Sequence, residues 1–309
     1  MLIGSKTRVG IAVPQMFPDG HIDMDLVSRH LKLVESLGYD SVWTMDGLVS
    51  TMTSLDPFTL LAYASTVTEK IKLGISVLVM PFQSPINLAK MTASLDQLSG
   101  GRLIVGVGIG GHIEQYPAFG IDPQHRVTRF EDAVDLLKRL WTESEVSFKG
   151  RFWTLDSVSV TPKPKQQPHP PIWFGGGVDP ALKRAVRMGD AWMGAGYSTI
   201  PAFKKCLKTI RVYLDEAGRD PSNFPVSKRV YIAVDRNKEE ASRKLQEWFA
   251  DFYHDAPAAL RVAIFGPEEE VIDRLGELVS EDLDMIMFNP VYDLVEQAER
   301  LARDIVPKL

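Results

Sequence analysis

Eight short apolar segments alternate with eight helical segments along the 309 residues, and this alternation limits the folds open to the chain. The apolar segments are rich in β-branched and aromatic residues, which is typical of strands. Strands that alternate with helices form parallel βαβ units with right-handed crossovers. Eight such units favour a closed (β/α)8 barrel, the TIM barrel, over an open doubly wound sheet. The predicted strands are Thr7–Val13, Ser41–Thr44, Ile71–Val79, Arg102–Val107, Ile172–Phe174, Ala191–Met193, Val226–Val234 and Asp284–Phe288.

The spacing of apolar residues and the capping residues predict the helices between these strands. A hairpin between Val146 and Val160, a proline-rich linker from Thr161 to Pro171 and an extra helix, Pro267–Ser280, extend the connections. We expect one domain over residues 1–309, because α/β barrels commonly exceed about 250 residues. The predicted barrel helices are Asp25–Leu37, Pro57–Thr66, Pro85–Leu98, Phe130–Trp141, Pro180–Met188, Ala202–Ala217, Lys238–Phe252 and Leu294–Ile305.

Charge and cysteine content exclude several functions. The formal net charge of −5 argues against nucleic acid or an anionic membrane as the main partner and favours a small-molecule substrate. The single cysteine, Cys206, cannot form an intramolecular disulfide and is interpreted as a packing residue. No apolar run approaches the ~20 residues of a membrane span, and the N-terminus has no apolar signal region. We therefore expect a cytoplasmic protein.

The carboxyl ends of the strands form the active site of such a barrel. Here they are rich in glycine, proline and polar residues, which let a ligand approach the backbone closely. They contain no His–Glu metal set, no Ser–His–Asp order and no lysine. The pattern points to a bound organic cofactor without a metal. The segments are Pro14–Gln15, Met45–Gly47, Leu78–Pro81, Gly108–His112, Gly175–Gly177, Gly194–Gly196 and Asn289.

Two of these ends contain glycine motifs. Gly106–Gly111 matches G-x-G-x-x-G, but a dinucleotide fold needs a helix immediately afterwards, and Pro117 and Pro123 interrupt the segment. A tight loop beside a planar cofactor ring is favoured instead. Gly175–Gly177 leads into a helix whose amides suit a phosphate, although a simple βα turn is the alternative. Asp179 is expected to cap that helix.

Two strand-end side chains are candidates for chemistry. Asp46 is placed to accept a hydrogen bond from a cofactor or to act as a base, and a helix cap or rim ion pair is the alternative. His112 is a candidate for facing the substrate, although a lone histidine is more often a rim or packing residue. We take both as candidate catalytic residues.

Several segments, taken in order, resemble the luciferase-like monooxygenase superfamily, and within it the oxidoreductases that use the deazaflavin coenzyme F420. The resemblance extends from Arg8 to about Leu301. Each segment is a weak signal alone, and together they are a strong one. They are Glu35–Trp43 with Asp46, Lys72–Leu78, Leu98–Gly108, Pro162–Pro164, His169–Gly176 and Arg187–Trp192.

This resemblance implies a cofactor site. Relatives that use the deazaflavin have a non-prolyl cis peptide in strand three, and Ser76–Val77 occupies that place. The bulge backs the cofactor ring, an aspartate contacts the ring's pocket side, and two glycine loops hold the chain and the phosphate. The implied cofactor-binding residues are Asp46, Ser76, Val77, Gly108, Ile109, Gly110, Gly175, Gly176, Gly177 and Val178.

The implied reaction is hydride transfer between F420 and a small organic substrate. Sugar-phosphate dehydrogenases of this group have a catalytic His and a Glu where this chain has Gly47 and Gly111. His112 is the best replacement candidate. An FMN-dependent monooxygenase and a non-catalytic flavin-binding protein remain alternatives. By analogy with such families we expect a homodimer.

Overall fold

The computed structural model describes residues 1–3, 7–47 and 52–309. Eight parallel strands form a closed barrel in chain order, and pairing of the eighth strand with the first closes the ring. The predicted TIM barrel is therefore confirmed. The strands are β1 (Thr7–Ala12), β2 (Ser41–Thr44), β3 (Lys72–Val79), β4 (Leu103–Gly108), β5 (Ile172–Gly175), β6 (Ala191–Gly194), β7 (Val226–Val234) and β8 (Met285–Asn289).

One principal helix follows each strand and packs on the outside of the barrel. Asp23, Asp56, Ser84, Thr199 and Asn237 cap five of these helices through side-chain oxygens. No described helix is long and apolar enough to cross a membrane. The helices are α1 (Met24–Ser36), α2 (Pro57–Val67), α3 (Pro85–Leu98), α4 (Arg126–Thr142), α5 (Asp179–Met188), α6 (Ile200–Glu216), α7 (Lys238–Tyr253) and α8 (Leu294–Arg300).

The connections differ from the prediction in three places. Helix α4 begins at Arg126 rather than Phe130, because a 3-10 turn at Pro123–His125 leads directly into it. Helix α8 continues as a π-helical turn, Leu301–Ile305. The connection after α7 contains a strand, Ile264–Gly266, which pairs parallel with β7 and escaped prediction because it has only three residues.

The predicted decorations are present. Val146–Lys149 and Thr154–Val158 form an antiparallel hairpin. The extra helix spans Glu268–Val279. Two short pairings add to the barrel's ends: Leu2–Ile3 runs antiparallel to β1, and Met16–Phe17 pairs with Thr53–Ser54.

Trp43 fills the centre of the barrel. Its side chain is fully buried, its ring centroid lies 5.5 Å from that of Trp173, and its indole Nε1 donates to Ser41 Oγ at 2.8 Å. The ring fits because the adjacent strands carry glycine: a Cβ at Gly10 would lie 2.6 Å from Trp43 Nε1, and one at Gly74 would lie 2.3 Å from its Cε3. The packing of the large Trp43 ring against two glycines therefore determines how β1, β2 and β3 fit together.

Glu35 and Arg102, which belong to the segments that carry the family resemblance, lie at the amino-terminal end of the barrel strands. Glu35 Oε1 accepts from the Lys70 and Ile71 amides at 2.7 and 3.0 Å. Arg102 donates to Thr68 Oγ1 and Ile71 O, both at 2.8 Å. Conformational support of the α2–β3 turn explains these two residues without any role in chemistry.

We predict that Gly74→Ala lowers the free energy of unfolding by about 1–3 kcal/mol, because the added methyl group overpacks the Trp43 ring. Chemical denaturation monitored by circular dichroism measures the change. Gly276→Ala, in the extra helix, is the matched control: its Cβ meets nothing within 4 Å, and alanine favours helix by about 0.5–1 kcal/mol. Equal destabilisation by both substitutions would contradict this account of the core.

Candidate functional site

A bulge interrupts β3 at its carboxyl end. Its register with β4 shifts between Ile75 and Leu78, and the Ser76–Val77 peptide is cis, as expected from the resemblance. A Cβ at Gly108 would lie 2.8 Å from Val77 Cγ2, and one at Gly175 would lie 3.0 Å from Val77 Cγ1. Because Gly108 on β4 and Gly175 on β5 have no side chains, there is room for the Val77 side chain.

Close contact with β3 also explains the glycine motif that begins on β4. A Cβ at Gly106 would lie 2.0 Å from the Ile75 carbonyl oxygen, so this position accepts no larger residue without backbone movement. Gly110 has φ of +81°, and a Cβ there would lie 2.8 Å from Val79 Cγ1. The motif Gly106–Gly111 therefore fits the β3 bulge. It is followed by a 3-10 segment, Ile113–Phe119, rather than by the α-helix of a dinucleotide fold.

Asp46 lies half-buried beside this bulge. Its Oδ2 accepts from the Val79 amide at 2.8 Å, which joins the ends of β2 and β3. The preceding residue is fixed from both sides, because Gln15 Oε1 accepts from Met45 N and Gln15 Nε2 donates to Met45 O, each at 2.7 Å. The structure thus holds Asp46 against Val79, at the carboxyl end of β3.

The loop after β4 is held by a buried tyrosine. Tyr116 Oη donates to the Ile109 carbonyl at 2.5 Å. Phe82, which follows β3, stacks on Phe119 with a centroid distance of 4.1 Å. These contacts fix Gly108–Gly110 against the loop that follows the bulge.

The glycine loop after β5 is fixed through its carbonyl groups. Trp192 Nε1 donates to Gly176 O at 2.8 Å, and Cys206 Sγ donates to Gly177 O at 3.2 Å. Gly176 has φ of +127°, a conformation that favours glycine. Cys206 is half-buried, and burial raises the pKa of its thiol, which agrees with the interpretation as a packing residue.

The expectation that Asp179 caps α5 was wrong. The N-cap is Val178, which makes no side-chain cap hydrogen bond, and Asp179 lies in the first helical turn. Its carboxylate accepts instead from the Tyr213 hydroxyl and lies 3.7 Å from Lys183 Nζ. The carboxylate therefore lies along the helix surface and does not cap α5, where the Ala181 amide donates to the Val178 carbonyl at 2.8 Å.

His112 lies on the exposed rim. Its Nδ1 lies 2.8 Å from Glu114 Oε1, and its side chain is 58% exposed. The cavity described below does not include it among its lining residues. His112 thus follows directly on the glycine loop after β4, but its side chain lies on the exposed rim; Asp46 and Gly108–Gly110 are also absent from the cavity lining.

A cavity of about 130 Å³ lies between the bulge and the loops after β5 and β6. Its lining includes Arg229 and Tyr253, which were not predicted as site residues from the sequence. The available signal was Lys228–Arg229, a cationic pair within the otherwise uncharged strand Val226–Val234. The lining residues are Ser76, Val77, Gly175, Gly176, Met193, Gly194, Ala195, Gly196, Tyr197, Arg229 and Tyr253.

The two cations of β7 face opposite sides of the sheet. Arg229 points into the barrel and donates to Asn289 Oδ1 at 2.9 Å. Lys228 points outwards and donates to the carbonyl groups of Ala195 and Arg229 at 2.5 and 2.9 Å. Burial, assisted by the nearby Arg229 charge, lowers the pKa of Lys228 to about 7. Lys228 thus supports the cavity wall at Ala195 from behind.

Comparison with known proteins agrees with this arrangement. The profile of the family described as Luciferase-like monooxygenase matches residues 7–278. The chain belongs to this family.

Among the described residues, no group of three or more His, Cys, Asp or Glu side chains could hold a metal ion.

Relatives within the luciferase-like family differ in cofactor. An uncharacterised Mycobacterium tuberculosis protein is 36% identical over 46% of this chain and 50% of its own length. An FMNH(2)-dependent dimethylsulfone monooxygenase of Pseudomonas putida is 31% identical over 59% of this chain and 50% of its own length. An F420-dependent glucose-6-phosphate dehydrogenase of Kineococcus radiotolerans is 27% identical over 80% of this chain and 77% of its own length. The chain thus spans about half the length of the first two relatives.

Solved structures share the fold of this chain. An F420-dependent secondary alcohol dehydrogenase in complex with an F420-acetone adduct superposes with a TM-score of 0.85, covering 98% of this chain and 99% of that one. The identity is 22%, so the similarity establishes the shared barrel.

The buried Lys228 predicts a pH dependence of stability. Its pKa of about 7 in the folded state lies below the ordinary 10.5, so between these values the unfolded chain binds a proton that the folded chain does not. Raising the pH through this window therefore favours the folded state. We expect Lys228→Met to be more stable than the wild type near pH 7, with the difference shrinking by pH 9.5. Parallel denaturation profiles of the two proteins would show that Lys228 does not titrate in this way.

Proposed function

We propose that this chain is an oxidoreductase that transfers a hydride between coenzyme F420 and a small organic substrate. The observation that carries the proposal is the packing of Val77 against Gly108 and Gly175 at the wall of a cavity that also includes Gly176. The β3 bulge and the glycine loop after β5 thus border the same space. The Kineococcus radiotolerans relative, aligned over 80% of the chain, supports the choice of F420.

The residues present fit a planar cofactor. Among the described residues, a Cβ at Gly47 or Gly111 would meet nothing within 4 Å, so neither position is packed against a described neighbour. No side chain caps the N-terminus of α5, and the positive end of a helix suits a phosphate group. Arg229 adds a buried positive charge to the cavity.

Each part of the site has a role in this proposal. Ser76 and Val77 back the ring, and Asp46 binds its edge. Gly108–Gly110 line the cofactor's chain, and Gly175–Val178 hold its phosphate. When bound, F420 supplies or accepts a hydride at C5 of its ring, and these residues orient it and exclude water.

A second candidate is a reduced-FMN monooxygenase. The Pseudomonas putida relative favours it, being 31% identical over 59% of this chain. A third candidate, a flavin-binding protein without catalysis, is favoured by the glycines at positions 47 and 111, which stand where the related sugar-phosphate dehydrogenases have their catalytic His and Glu.

Fluorescence titration with F420 and, separately, with FMN distinguishes these candidates. We expect F420 to bind with a Kd of micromolar or below and FMN to bind at least tenfold more weakly. A preference for FMN would assign the chain to the monooxygenases. Tight F420 binding without turnover of any alcohol, ketone or aldehyde would favour the non-catalytic protein.

We predict that Asp46→Ala weakens F420 binding by about 10- to 100-fold, the usual effect of losing a hydrogen bond to a charged group. Asp215→Ala, at an exposed site near the far end of α6, is the control and should leave the Kd unchanged. Unchanged affinity in Asp46→Ala would remove Asp46 from the cofactor site. Circular dichroism checks that both variants are folded.

A further inference from the structure

Arg229 is a buried cation whose described hydrogen-bond partners are neutral. Its side chain is on the inner face of β7, and the residue is 7% exposed. The guanidinium donates to Ser76 O at 3.3 Å and to Tyr231 Oη at 2.8 Å. Within the described part of the chain, no carboxylate forms an ion pair with it. Because a guanidinium has donors only, every group that it contacts must act as an acceptor.

Because Arg229 can only donate, the direction of the hydrogen bond between Tyr231 and Tyr253 is also fixed. Tyr231 Oη lies 2.8 Å from Tyr253 Oη, and Tyr231 is fully buried. The Tyr231 oxygen accepts from Arg229, so its own proton needs another acceptor, and Tyr253 provides one. In the opposite direction the Tyr231 proton would be buried without an acceptor, at a cost of about 1–3 kcal/mol. Tyr231 is therefore the donor and Tyr253 the acceptor.

Burial raises the pKa of Tyr231 far above its ordinary value of 10. Its phenol thus keeps its proton and remains a donor throughout the pH range in which proteins are stable. The guanidinium of Arg229 has donors only. The order Arg229 to Tyr231 to Tyr253 is therefore constant.

The Tyr253 hydroxyl proton is left for the cavity. Tyr253 is half-buried at the end of α7, and it lines the same space as Ser76, Val77 and Arg229. Its hydroxyl makes no other hydrogen bond within the described residues. A ligand oxygen in the cavity is the acceptor that completes the chain.

We propose that Tyr253 is a catalytic residue that donates its hydroxyl proton to an oxygen atom of the substrate, with Arg229 and Tyr231 as positioning residues behind it. The inference rests on the proposed function and deepens it. It names the substrate class, a small ketone or aldehyde or the corresponding alcohol. It also supplies the acid that Gly47 and Gly111 do not provide.

In the direction of reduction, the carbonyl carbon would accept a hydride supplied by the reduced deazaflavin, and the π electron pair of the C=O bond would move to oxygen. That oxygen takes the Tyr253 proton and becomes a hydroxyl group. The remaining tyrosinate accepts a hydrogen bond from Tyr231, is stabilised by the Arg229 charge, and regains a proton from solvent. In the direction of oxidation the same phenolate accepts the proton.

Tyr253→Phe tests the proposal on the F420-loaded protein, with acetate as a probe because its oxygens accept a hydrogen bond as a substrate oxygen would. We expect isothermal titration to show acetate binding that weakens about tenfold in Tyr253→Phe. For each ketone or aldehyde that the wild type reduces, kcat should fall by about 100-fold or more with KM changed less than threefold. Tyr63→Phe, on α2, is the matched control and should leave both values unchanged.

The outcomes separate this proposal from the proposed function. Failure of the wild type to bind F420 would overturn both. Normal F420 binding with the same acetate affinity in wild type and Tyr253→Phe, or with no acetate binding by the wild type, would overturn the role of Tyr253 alone. A kcat in Tyr253→Phe within threefold of the wild type would do the same.

Discussion

The site depends on the way in which the β3 bulge fits against its neighbours. Val77 occupies space that side chains at Gly108 and Gly175 would fill, and the Ile75 carbonyl requires glycine at position 106. Interiors are packed too densely to absorb an extra methyl group without movement. The glycines of β4 and β5 are therefore steric requirements of β3, and the loops after β4 and β5 begin at these glycines. One packing constraint thus places the bulge and both loops together.

The second constraint is electrostatic. An arginine inside a barrel loses its hydration, at a cost of several kcal/mol that hydrogen bonds offset only in part. Asn289, the Ser76 carbonyl and Tyr231 offset the loss for Arg229. This cation therefore joins β7 and β8 to the bulge of β3. Its charge polarises the tyrosine pair towards the cavity, so the same interaction supports the fold and prepares the site for an oxygen atom.

The barrel was predictable from sequence because apolar periodicity and turn residues are local signals. Asp46 and the glycine loops were predictable as candidates because strand ends meet at one face of a barrel. Arg229 and Tyr253 were not, because they lie in β7 and at the end of α7, and only the closed barrel brings them to the bulge. Asp179 was wrongly assigned as a cap because the hydroxyl that it binds, Tyr213, becomes a neighbour only when α6 packs against α5. Local patterns thus predicted the framework, and the contacts between distant segments required the structure.

The central claim is that the Val77 face of the bulge supports the cofactor ring, and a crystal structure of the protein with F420 tests it most directly. We predict that the deazaflavin ring lies in van der Waals contact with Ser76 and Val77, with its phosphate at Gly175–Val178. Electron density for F420 elsewhere would contradict the claim. The groove lined by Met16, Asp19 and Tyr292 at the barrel rim is the clearest alternative location.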